Sequence, residues 1–282
     1  MSSRPFKTRK PGSGRPPGGR GGAGGGGAGG GGGRGRGGFG GRRRDEDEVT
    51  ILYGWHPVAE ALRNEGRVLH RLLATENSAL RLAEEVGRLR IEPEIVRPHD
   101  ISRLVEPDAV HQGLYLEADP LPSPTLDTLR GDRVVLAFDQ ITDPHNVGAI
   151  VRTAAAFGVE AIITTARHSP AATGVLAKSA SGGLEHVPFL VVRNLADALI
   201  TLGERGFQRI GLDSEGDAPI DAIPLRRPVV LVLGSEGKGL RQRTRECCDA
   251  VGRLDMPGAI KSLNVSNAAA ISLYAVTRRL ED

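Results

Sequence analysis

The chain has few of the residues that stabilise extracellular or metal-dependent folds. Only two of its 282 residues are cysteines, and these are neighbours, Cys247 and Cys248, which cannot join distant parts of the chain. Such cysteine usage suits a reducing cytoplasm. The seven histidines are scattered and spaced cysteine pairs are missing, so the sequence has no zinc signature. These features predict a cytoplasmic protein without a bound metal.

Long apolar runs are missing as well. No stretch reaches the ~18 consecutive apolar residues of a membrane-spanning helix. The basic N-terminus is not followed by the apolar segment that a secretory signal requires. The glycines keep no strict three-residue period, which excludes a collagen-like fibre.

The positive charge of the chain is concentrated at one end. Residues 1–44 contain 20 of the 39 glycines, 11 of the 37 Lys and Arg, and no Asp or Glu. The remaining chain has 26 Lys and Arg against all 34 Asp and Glu, so the net charge of +3 combines +11 in that segment with −8 in the rest. Any affinity of the folded part for an anionic partner therefore depends on local basic patches.

Residues 1–48 are predicted to be a disordered Arg/Gly-rich tail, because they have little to bury and much backbone entropy to lose. Such a tail can be a solubilising linker. It can also be a sequence-tolerant RNA-binding arm, because guanidinium groups neutralise phosphates and stack on bases. The predominance of Arg over Lys favours the RNA-binding interpretation.

The rest of the chain is predicted to contain two α/β regions. Residues 49–118 combine short strands with amphipathic helices, the first of them over 55–67. The proline-rich segment 119–131 is predicted to be a linker. Residues 132–282 alternate strands and helices, which predicts a parallel sheet with helices on both faces. Ligands of such sheets bind outside the carboxyl ends of the strands.

Three loops that follow predicted strands carry polar residues that a core does not need. The first contains Asn146 and Arg152. Asn146 could simply cap the predicted helix over 146–157, and Arg152 could be a solvated surface charge. Among small apolar neighbours, however, Arg152 is a better candidate for binding a phosphate. Since it lies six residues after Asn146, it points away from Asn146 on a regular helix.

The second loop, residues 234–240, reads Gly-Ser-Glu-Gly-Lys-Gly-Leu. Its three glycines allow the backbone to approach a ligand closely. Its spacing matches neither a phosphate-binding P-loop nor the dinucleotide fingerprint, and a glycine-rich turn alone is more often structural. Glu236 at the centre of the loop is the residue that favours a functional site.

The third loop contains Ser262, Asn264 and Ser266 before the last predicted helix. Ser262 or Asn264 could cap that helix, but four short polar side chains within six residues exceed what capping requires. The small residues 268–270 would let the helix pack tightly against another helix or a second subunit. None of the serines lies in a nucleophile-elbow pattern, which excludes a hydrolase of that type.

Together, these loops resemble the three motifs of the SpoU/TrmH branch of the SPOUT RNA methyltransferases. Asn146 with Arg152 matches the first motif, residues 234–240 the second and residues 262–266 the third, in the order of the chain. Two positions depart from the usual pattern: Asn267 replaces a common Val, and Asp255 replaces a common Pro. Neither is a proposed catalytic contact.

The resemblance covers roughly residues 49–282. Residues 53–58 and 111–113 resemble the family's small substrate-binding domain, a ribosomal-protein-like α/β fold. The larger region, 132–282, would then be a SPOUT domain with a deep C-terminal trefoil knot. The combination is most similar to enzymes that use S-adenosylmethionine to methylate the ribose 2′-oxygen of a guanosine in large-subunit (23S) ribosomal RNA.

The resemblance also implies a homodimer whose active sites combine residues of both subunits. Arg152 would fix the target phosphate and stabilise charge as the ribose oxygen loses its proton. The implied catalytic residues are Arg152, Asn146, Glu236, Ser262 and Asn264. The implied S-adenosylmethionine-binding residues, which act through the backbone around them, are Gly234, Leu254 and Leu263.

Two other functions stay open. One is a transfer-RNA ribose methyltransferase of the same family, and the separate N-terminal module favours ribosomal RNA over it only by analogy. The other is a non-catalytic RNA-binding protein that keeps the fold. Intact polar residues in all three motifs speak against such a binder, which would not need Arg152, Glu236 and Asn264 together.

Overall fold

Two β-sheets make up the protein, whose structure is a computed structural model that describes residues 49–167, 174–260 and 262–281. The predicted disorder of residues 1–48 lies outside the described residues. Residues 45–282 form one compact unit. Within the described ranges, no helix is long and apolar enough to cross a membrane.

The smaller sheet belongs to the N-terminal module and has the strand order β1-β4-β2-β3. Its strands are β1 (Thr50–Tyr53), β2 (Leu69–Ala74), β3 (Pro93–Ile95) and β4 (Leu114–Ala118). Its helices are α1 (Trp55–Arg63), α2 (Glu76–Val86) and α3 (Pro98–Ser102). Strand β4 is antiparallel to both of its neighbours, whereas β2 and β3 are parallel. Helices α1 and α2 cover one face of the sheet and α3 covers the other.

The first helix is shorter than the sequence pattern predicts. It ends at Arg63 instead of residue 67, because Asn64 leaves the helical conformation and its side-chain oxygen accepts a hydrogen bond from Gly66 N at 3.1 Å. The resulting turn directs Arg67 into a buried position. Strand β1 was not predicted from the sequence.

The larger sheet has seven parallel strands in the order β7-β6-β5-β10-β8-β11-β9. They are β5 (Val135–Asp139), β6 (Ala161–Thr165), β7 (Phe189–Val192), β8 (Gln208–Leu212), β9 (Ala218–Pro219), β10 (Val229–Gly234) and β11 (Ala250–Arg253). The helices are α4 (Pro144–Ala156), α5 (Gly174–Ala180), α6 (Leu195–Glu204), α7 (Gln242–Glu246) and α8 (Val265–Glu281). Three short 3₁₀ helices lie at Leu126–Thr128, Gly183–Glu185 and Ile220–Ala222.

Hydrophobic cores lie on both faces of the larger sheet, as predicted. Leu136 and Phe138 of β5 pack in one core with α4, α5 and α8. Val135 and Ala137 alternate with them and pack with α6 on the opposite face. Because successive side chains of a strand point to opposite faces, a continuous apolar run is what such a doubly covered strand requires. The trefoil knot stays an expectation of the family resemblance.

The segment 119–131, the predicted linker, contains one short 3₁₀ helix and is bound to the larger sheet. Ser123 Oγ donates a hydrogen bond to Phe189 O at 2.8 Å and accepts one from Val191 N at 3.1 Å. Leu129 is buried in the core beside α6. The predicted linker therefore packs against the domain that follows it.

The two modules share a polar interface with a buried ion pair. Asn64 Nδ2 donates to Glu185 Oε2 at 2.6 Å, and Glu60 contacts the His186 ring at 2.8 Å. Arg67 and Glu185 lie 3.7 Å apart, and each side chain is only 3% exposed. Burial lowers the pKa of Arg67, while the charge of Glu185 opposes that shift. The N-terminal module is thus attached to the 3₁₀ helix that follows α5.

Candidate active site

A cavity of about 540 Å³ lies at the carboxyl end of the larger sheet, where ligands of parallel sheets bind. It is formed by the segment after β8, the glycine-rich loop after β10, and the chain between β11 and α8. The backbone around three residues of the second and third of these segments was predicted to surround a cofactor. Gly234, Leu254 and Leu263 all line the cavity.

Two of the predicted catalytic residues line the same cavity. Glu236 lies at the tip of the glycine-rich loop, and Ser262 lies on the segment that leads to α8. Both are exposed, so their side chains are accessible from solvent. The second and third motifs therefore meet at one cavity although they are separated in sequence.

The glycine-rich loop folds back on itself. Gly239 N donates to Ser235 O at 2.9 Å, and the two residues form an isolated antiparallel bridge. A Cβ atom at position 234 would lie 2.3 Å from the carbonyl carbon of Gly239, which leaves no room for a side chain. Gly237 and Gly239 have φ values of +77° and +63°, in the left-handed region that favours glycine. The glycines are thus required by this turn.

Asn146 and Asn264 connect the first and third motifs. Asn264 Nδ2 donates to Asn146 Oδ1 at 2.8 Å. Asn264 Oδ1 accepts from the backbone N of Ser266 at 2.9 Å and from its Oγ at 2.6 Å, at the start of α8. The alternative that Asn264 caps the last helix is compatible with this geometry, but its amide nitrogen is directed to another motif.

The alternative that Asn146 caps its own helix is wrong. Helix α4 begins two residues earlier, at Pro144, whose fixed φ suits the first helical turn. Asp143 is the cap, since its carboxylate accepts a hydrogen bond from Asn146 N at 3.0 Å. The side chain of Asn146 is therefore available to Asn264.

Arg152 lies apart from the other predicted catalytic residues. Helix α4 is regular, so a spacing of six residues rotates Arg152 by roughly 120° from Asn146 around the helix axis. Arg152 is exposed and is not among the residues that line the cavity. It makes no hydrogen bond or ion pair with the described residues. The single chain does not bring its own Arg152 to the cavity.

The segment after β8 also lines the cavity, and it was not among the candidate site residues predicted from the sequence. Leu212, Asp213, Ser214 and Glu215 contribute to the wall. The strand itself was predicted over 208–212, and it has those bounds. The available signal was topological: acidic residues follow a buried strand, and β8 lies beside β10 in the sheet. Strand order cannot be read from the sequence pattern.

The composition of the cavity suits a nucleoside that carries positive charge. Its apolar wall includes Leu212, Leu254 and Leu263, and its acidic residues are Asp213, Glu215 and Glu236. Lys238 also contributes to the lining. Apolar walls fit an adenine ring, and carboxylates complement a sulfonium cation and ribose hydroxyls. Among the described residues, no group of three His, Cys, Asp or Glu side chains could hold a metal ion.

The two cysteines lie behind this region and are free thiols. Burial, followed by the proximity of Cys247, raises the pKa of Cys248 to about 12. A thiol with so high a pKa is protonated at neutral pH and is a poor nucleophile. Cys248 is therefore not a candidate nucleophile of this site.

Comparisons with known families agree with this geometry. Residues 133–274 match the SpoU rRNA Methylase family, and residues 51–124 match a family described as RNA 2′-O ribose methyltransferase substrate binding. The chain belongs to the SpoU family of RNA 2′-O-ribose methyltransferases. Members of this enzyme class use S-adenosylmethionine as the methyl donor, so the predicted reaction type and cofactor are confirmed.

Known SpoU proteins resemble the chain over most of its length. The 23S rRNA (guanosine-2′-O-)-methyltransferase RlmB of Pseudomonas aeruginosa is 36% identical over 240 residues, which are 81% of this chain and 96% of that protein. An uncharacterized tRNA/rRNA methyltransferase of Mycobacterium sp. (strain KMS) is also 36% identical, over 84% of this chain and 78% of the relative. The crystal structure of AviRb from Streptomyces viridochromogenes in complex with AdoMet has a TM-score of 0.70 and 26% identity, covering 82% of this chain and 90% of that one.

Proposed function

We propose that this SpoU protein methylates the ribose 2′-oxygen of a guanosine in 23S ribosomal RNA. The observation that carries the proposal is the cavity at which the glycine-rich loop and the segment before α8 meet. The choice of substrate is supported by the similarity to RlmB over nearly the whole length of that protein. The N-terminal module, which matches a substrate-binding family, supplies a surface for RNA. A ribosomal RNA substrate and two free cysteines suit a cytoplasmic enzyme.

S-adenosylmethionine would be held by the backbone around Gly234, Leu254 and Leu263. The bound cofactor supplies the methyl group that is transferred in line to the ribose oxygen. Leucine side chains of the cavity exclude water from the adenine side, and the close turn at Gly234 lets backbone groups approach the nucleoside. Glu236 and Ser262 line the part of the cavity that solvent reaches, from which RNA would enter.

The catalytic step requires activation of a weak nucleophile. Asn146 orients the amide of Asn264 through their hydrogen bond of 2.8 Å, so both side chains have fixed positions beside α8. Arg152 would bind the target phosphate and stabilise negative charge that develops on the ribose oxygen. A guanidinium remains protonated in proteins, so Arg152 does not accept the proton of the ribose hydroxyl, which would be released to the solvent that reaches this side of the cavity.

We further propose that the enzyme is a homodimer in which Arg152 of one subunit serves the cavity of the other. Arg152 does not line the cavity of its own chain. Helix α8 presents Ile271 and Tyr274, 48% and 59% exposed, and the Tyr274 ring meets Phe157 of α4 edge to face at 6.4 Å between centroids. An exposed apolar face of this kind, on the helix pair that carries Arg152, is suited to a symmetric contact with a second copy.

Ribose-methylation mapping of total RNA from cells with and without the gene tests the substrate. We expect one 2′-O-methylguanosine of 23S RNA to disappear with the gene and to return on complementation. Loss of a transfer-RNA methylation instead would leave the chemistry intact and overturn the choice of substrate. Unchanged methylation of all RNA would favour the non-catalytic RNA-binding function.

A further inference from the structure

Two carboxylates flank the glycine-rich loop that follows β10. Strand β10 lies between β5 and β8 in the sheet. Gly234 at the end of β10 pairs with Asp139 on one side, and Leu233 pairs with Leu212, the residue before Asp213, on the other. The two aspartates are therefore at the same level of the sheet, on either side of the point where the loop begins.

Asp213 joins two segments of the cavity wall. Its Oδ2 accepts a hydrogen bond from Leu240 N, at the end of the glycine-rich loop, at 2.9 Å. Its Oδ1 accepts one from Glu215 N, in the segment after β8, at 3.0 Å. The side chain is 9% exposed, and the cation that faces it is Arg245, whose Nη1 lies 3.9 Å from Oδ2. Both oxygens are thus used as acceptors.

Asp139 holds the next backbone amide of the same loop. Its Oδ2 accepts from Arg241 N at 2.8 Å, and its Oδ1 accepts from Arg241 Nε at 2.6 Å. The Asp139 side chain is completely buried. Consecutive amides, those of Leu240 and Arg241, are consequently bound by carboxylates from two different strands.

Position 239 of the loop has no room for any side chain, so this arrangement requires glycine there. A Cβ atom at position 239 would lie 2.4 Å from Asp213 Oδ2, and Gly239 has a φ of +63°. A segment with three glycines loses much conformational entropy when it becomes ordered. Interactions that fix its end before the ligand binds reduce the cost of ordering at the binding step.

We propose that Asp213 is a positioning residue for S-adenosylmethionine, acting with Asp139 to hold the glycine-rich loop in the conformation that lines the cavity. Asp213 fixes two walls at once, because its two oxygens bind amides of two separate segments. Asp139 binds only the backbone amide of Arg241, the residue that directly follows the loop. The inference rests on the proposed place of the cofactor in this cavity.

The Asp213→Asn variant isolates this role. Asparagine has nearly the same shape but only one acceptor oxygen, so it must give up either Leu240 N or Glu215 N and direct an NH₂ group at that donor. The matched control is Asp217→Asn, which removes the same charge from the same connection. Asp217 is exposed, does not line the cavity, and pairs only with Arg245 at 3.3 Å among the contacts described for its side chain.

Calorimetric titration with S-adenosylmethionine, hydrogen exchange of the cofactor-free protein and steady-state kinetics are the three measurements. For Asp213→Asn we expect the Kd to rise ~10-fold, the size expected for an unpaired donor at the binding step. Amide exchange of the peptide that contains Leu240 should be faster than in the wild-type protein. In steady-state assays the KM for the cofactor should rise, while the KM for RNA stays within about 2-fold. Asp217→Asn should resemble the wild-type protein in all three.

Equal Kd and equal loop exchange in Asp213→Asn and Asp217→Asn would overturn the inference and leave the proposed function intact. If Asp213→Asn does not fold, Asp139→Asn decides the matter, because it should also raise the Kd and accelerate exchange at Arg241. An unchanged Kd in a folded Asp139→Asn protein would then contradict the inference. Failure of the wild-type protein itself to bind S-adenosylmethionine would overturn the proposed function and the inference together.

Discussion

Arg152 is a residue whose anion-binding role stays a prediction and whose position relative to the cavity only the folded chain reveals. Its charge among small apolar neighbours indicated an anion-binding role, and on the folded chain it is exposed on α4, outside the cavity. An arginine that has no partner among the described residues can bind a phosphate or enter a neighbouring subunit. Under the proposed function, its position separates cofactor binding in the cavity from substrate activation.

Replacing Arg152 by Ala should therefore abolish methyl transfer and leave cofactor binding intact. We expect a loss of at least ~10²-fold in single-turnover rate, as for removal of a group that stabilises developing charge. The Kd for S-adenosylmethionine should stay within about 2-fold of the wild-type value, because Arg152 does not line the cavity. Methyl incorporation into RNA and calorimetric titration measure the two quantities.

Arg133→Ala is the matched control, since Arg133 is exposed and lies just before β5, at the end of the sheet opposite the cavity.

A mixed dimer that carries Arg152→Ala on one subunit and Glu236→Gln on the other tests whether Arg152 acts across a dimer. If Arg152 acts in the cavity of the partner, one of the two sites of this mixed dimer keeps both groups and stays active. If Arg152 acts in the cavity of its own chain, neither site keeps both groups. Full activity of the Arg152→Ala protein would contradict its assignment.

At the scale of elements, pairs of charged side chains hold the strands on which the cavity is built. Arg209 of β8 donates to Asp249, just before β11, through Nη2 at 2.5 Å and Nε at 3.1 Å. The hydrogen bond from Arg209 holds the pKa of Asp249 below its usual range, although burial acts in the opposite direction. Arg209 and Asp249 lie at the amino ends of β8 and β11, so this contact joins the two strands at the end of the sheet opposite the cavity.

This pair predicts a pH-dependent stability. Since the pKa of Asp249 is lower in the folded state, its contribution is complete above the unfolded pKa of ~3.9 and is lost as the pH falls through the folded value. Asp249→Asn should lower Tm at pH 7 by at most about 4 °C, because the pair is partly exposed. The difference in Tm should shrink between pH ~5 and ~3.

Calorimetric scans of both proteins across that range check this prediction. Asp132→Asn is the control, because Asp132 is exposed and its Oδ1 lies 4.0 Å from Arg133 Nε, too far for a hydrogen bond. A constant Tm difference between wild type and Asp249→Asn at all pH values would show that the carboxylate's ionisation does not contribute.

The element pattern itself was largely predictable from the sequence. Strand β8 has the predicted bounds, and the helix predicted over 146–157 ends at Ala156, one residue early, shortly before Gly158 in the left-handed conformation. Periodicity and glycine position are local signals, so they locate elements well. Helix starts were less accurate: α4 begins at Pro144, because Asp143 is the better cap.

At the scale of the whole molecule, charge is distributed unequally along the chain. Residues 1–44 carry +11 and the remainder −8. RNA is a polyanion, so the basic segment supplies long-range attraction that the rest of the chain lacks. All residues that line the cavity, and the residues that match the substrate-binding family, lie outside the basic segment.

Deletion of residues 1–44 should weaken RNA binding and flatten its dependence on salt, while turnover at saturating RNA persists. The slope of log K against log salt concentration should decrease by about one for each phosphate contact that is lost. Filter-binding titrations at several salt concentrations, together with kcat, measure both effects. A control with the eleven basic residues of this segment changed to Ser keeps its length. Unchanged affinity would reduce the segment to a solubility device.

The sequence by itself determined the charge distribution, the α/β alternation and the residue types of the three motif loops, because all of these are local properties of the chain. Only the tertiary structure decided which of those residues meet. Asn146 and Asn264 are 118 residues apart, and Asp139 and Asp213 reach consecutive amides only because β10 lies between β5 and β8. Strand order depends on how helices and strands pack together. Arg152 lies outside the cavity because helix α4 is regular and directs this side chain away from Asn146.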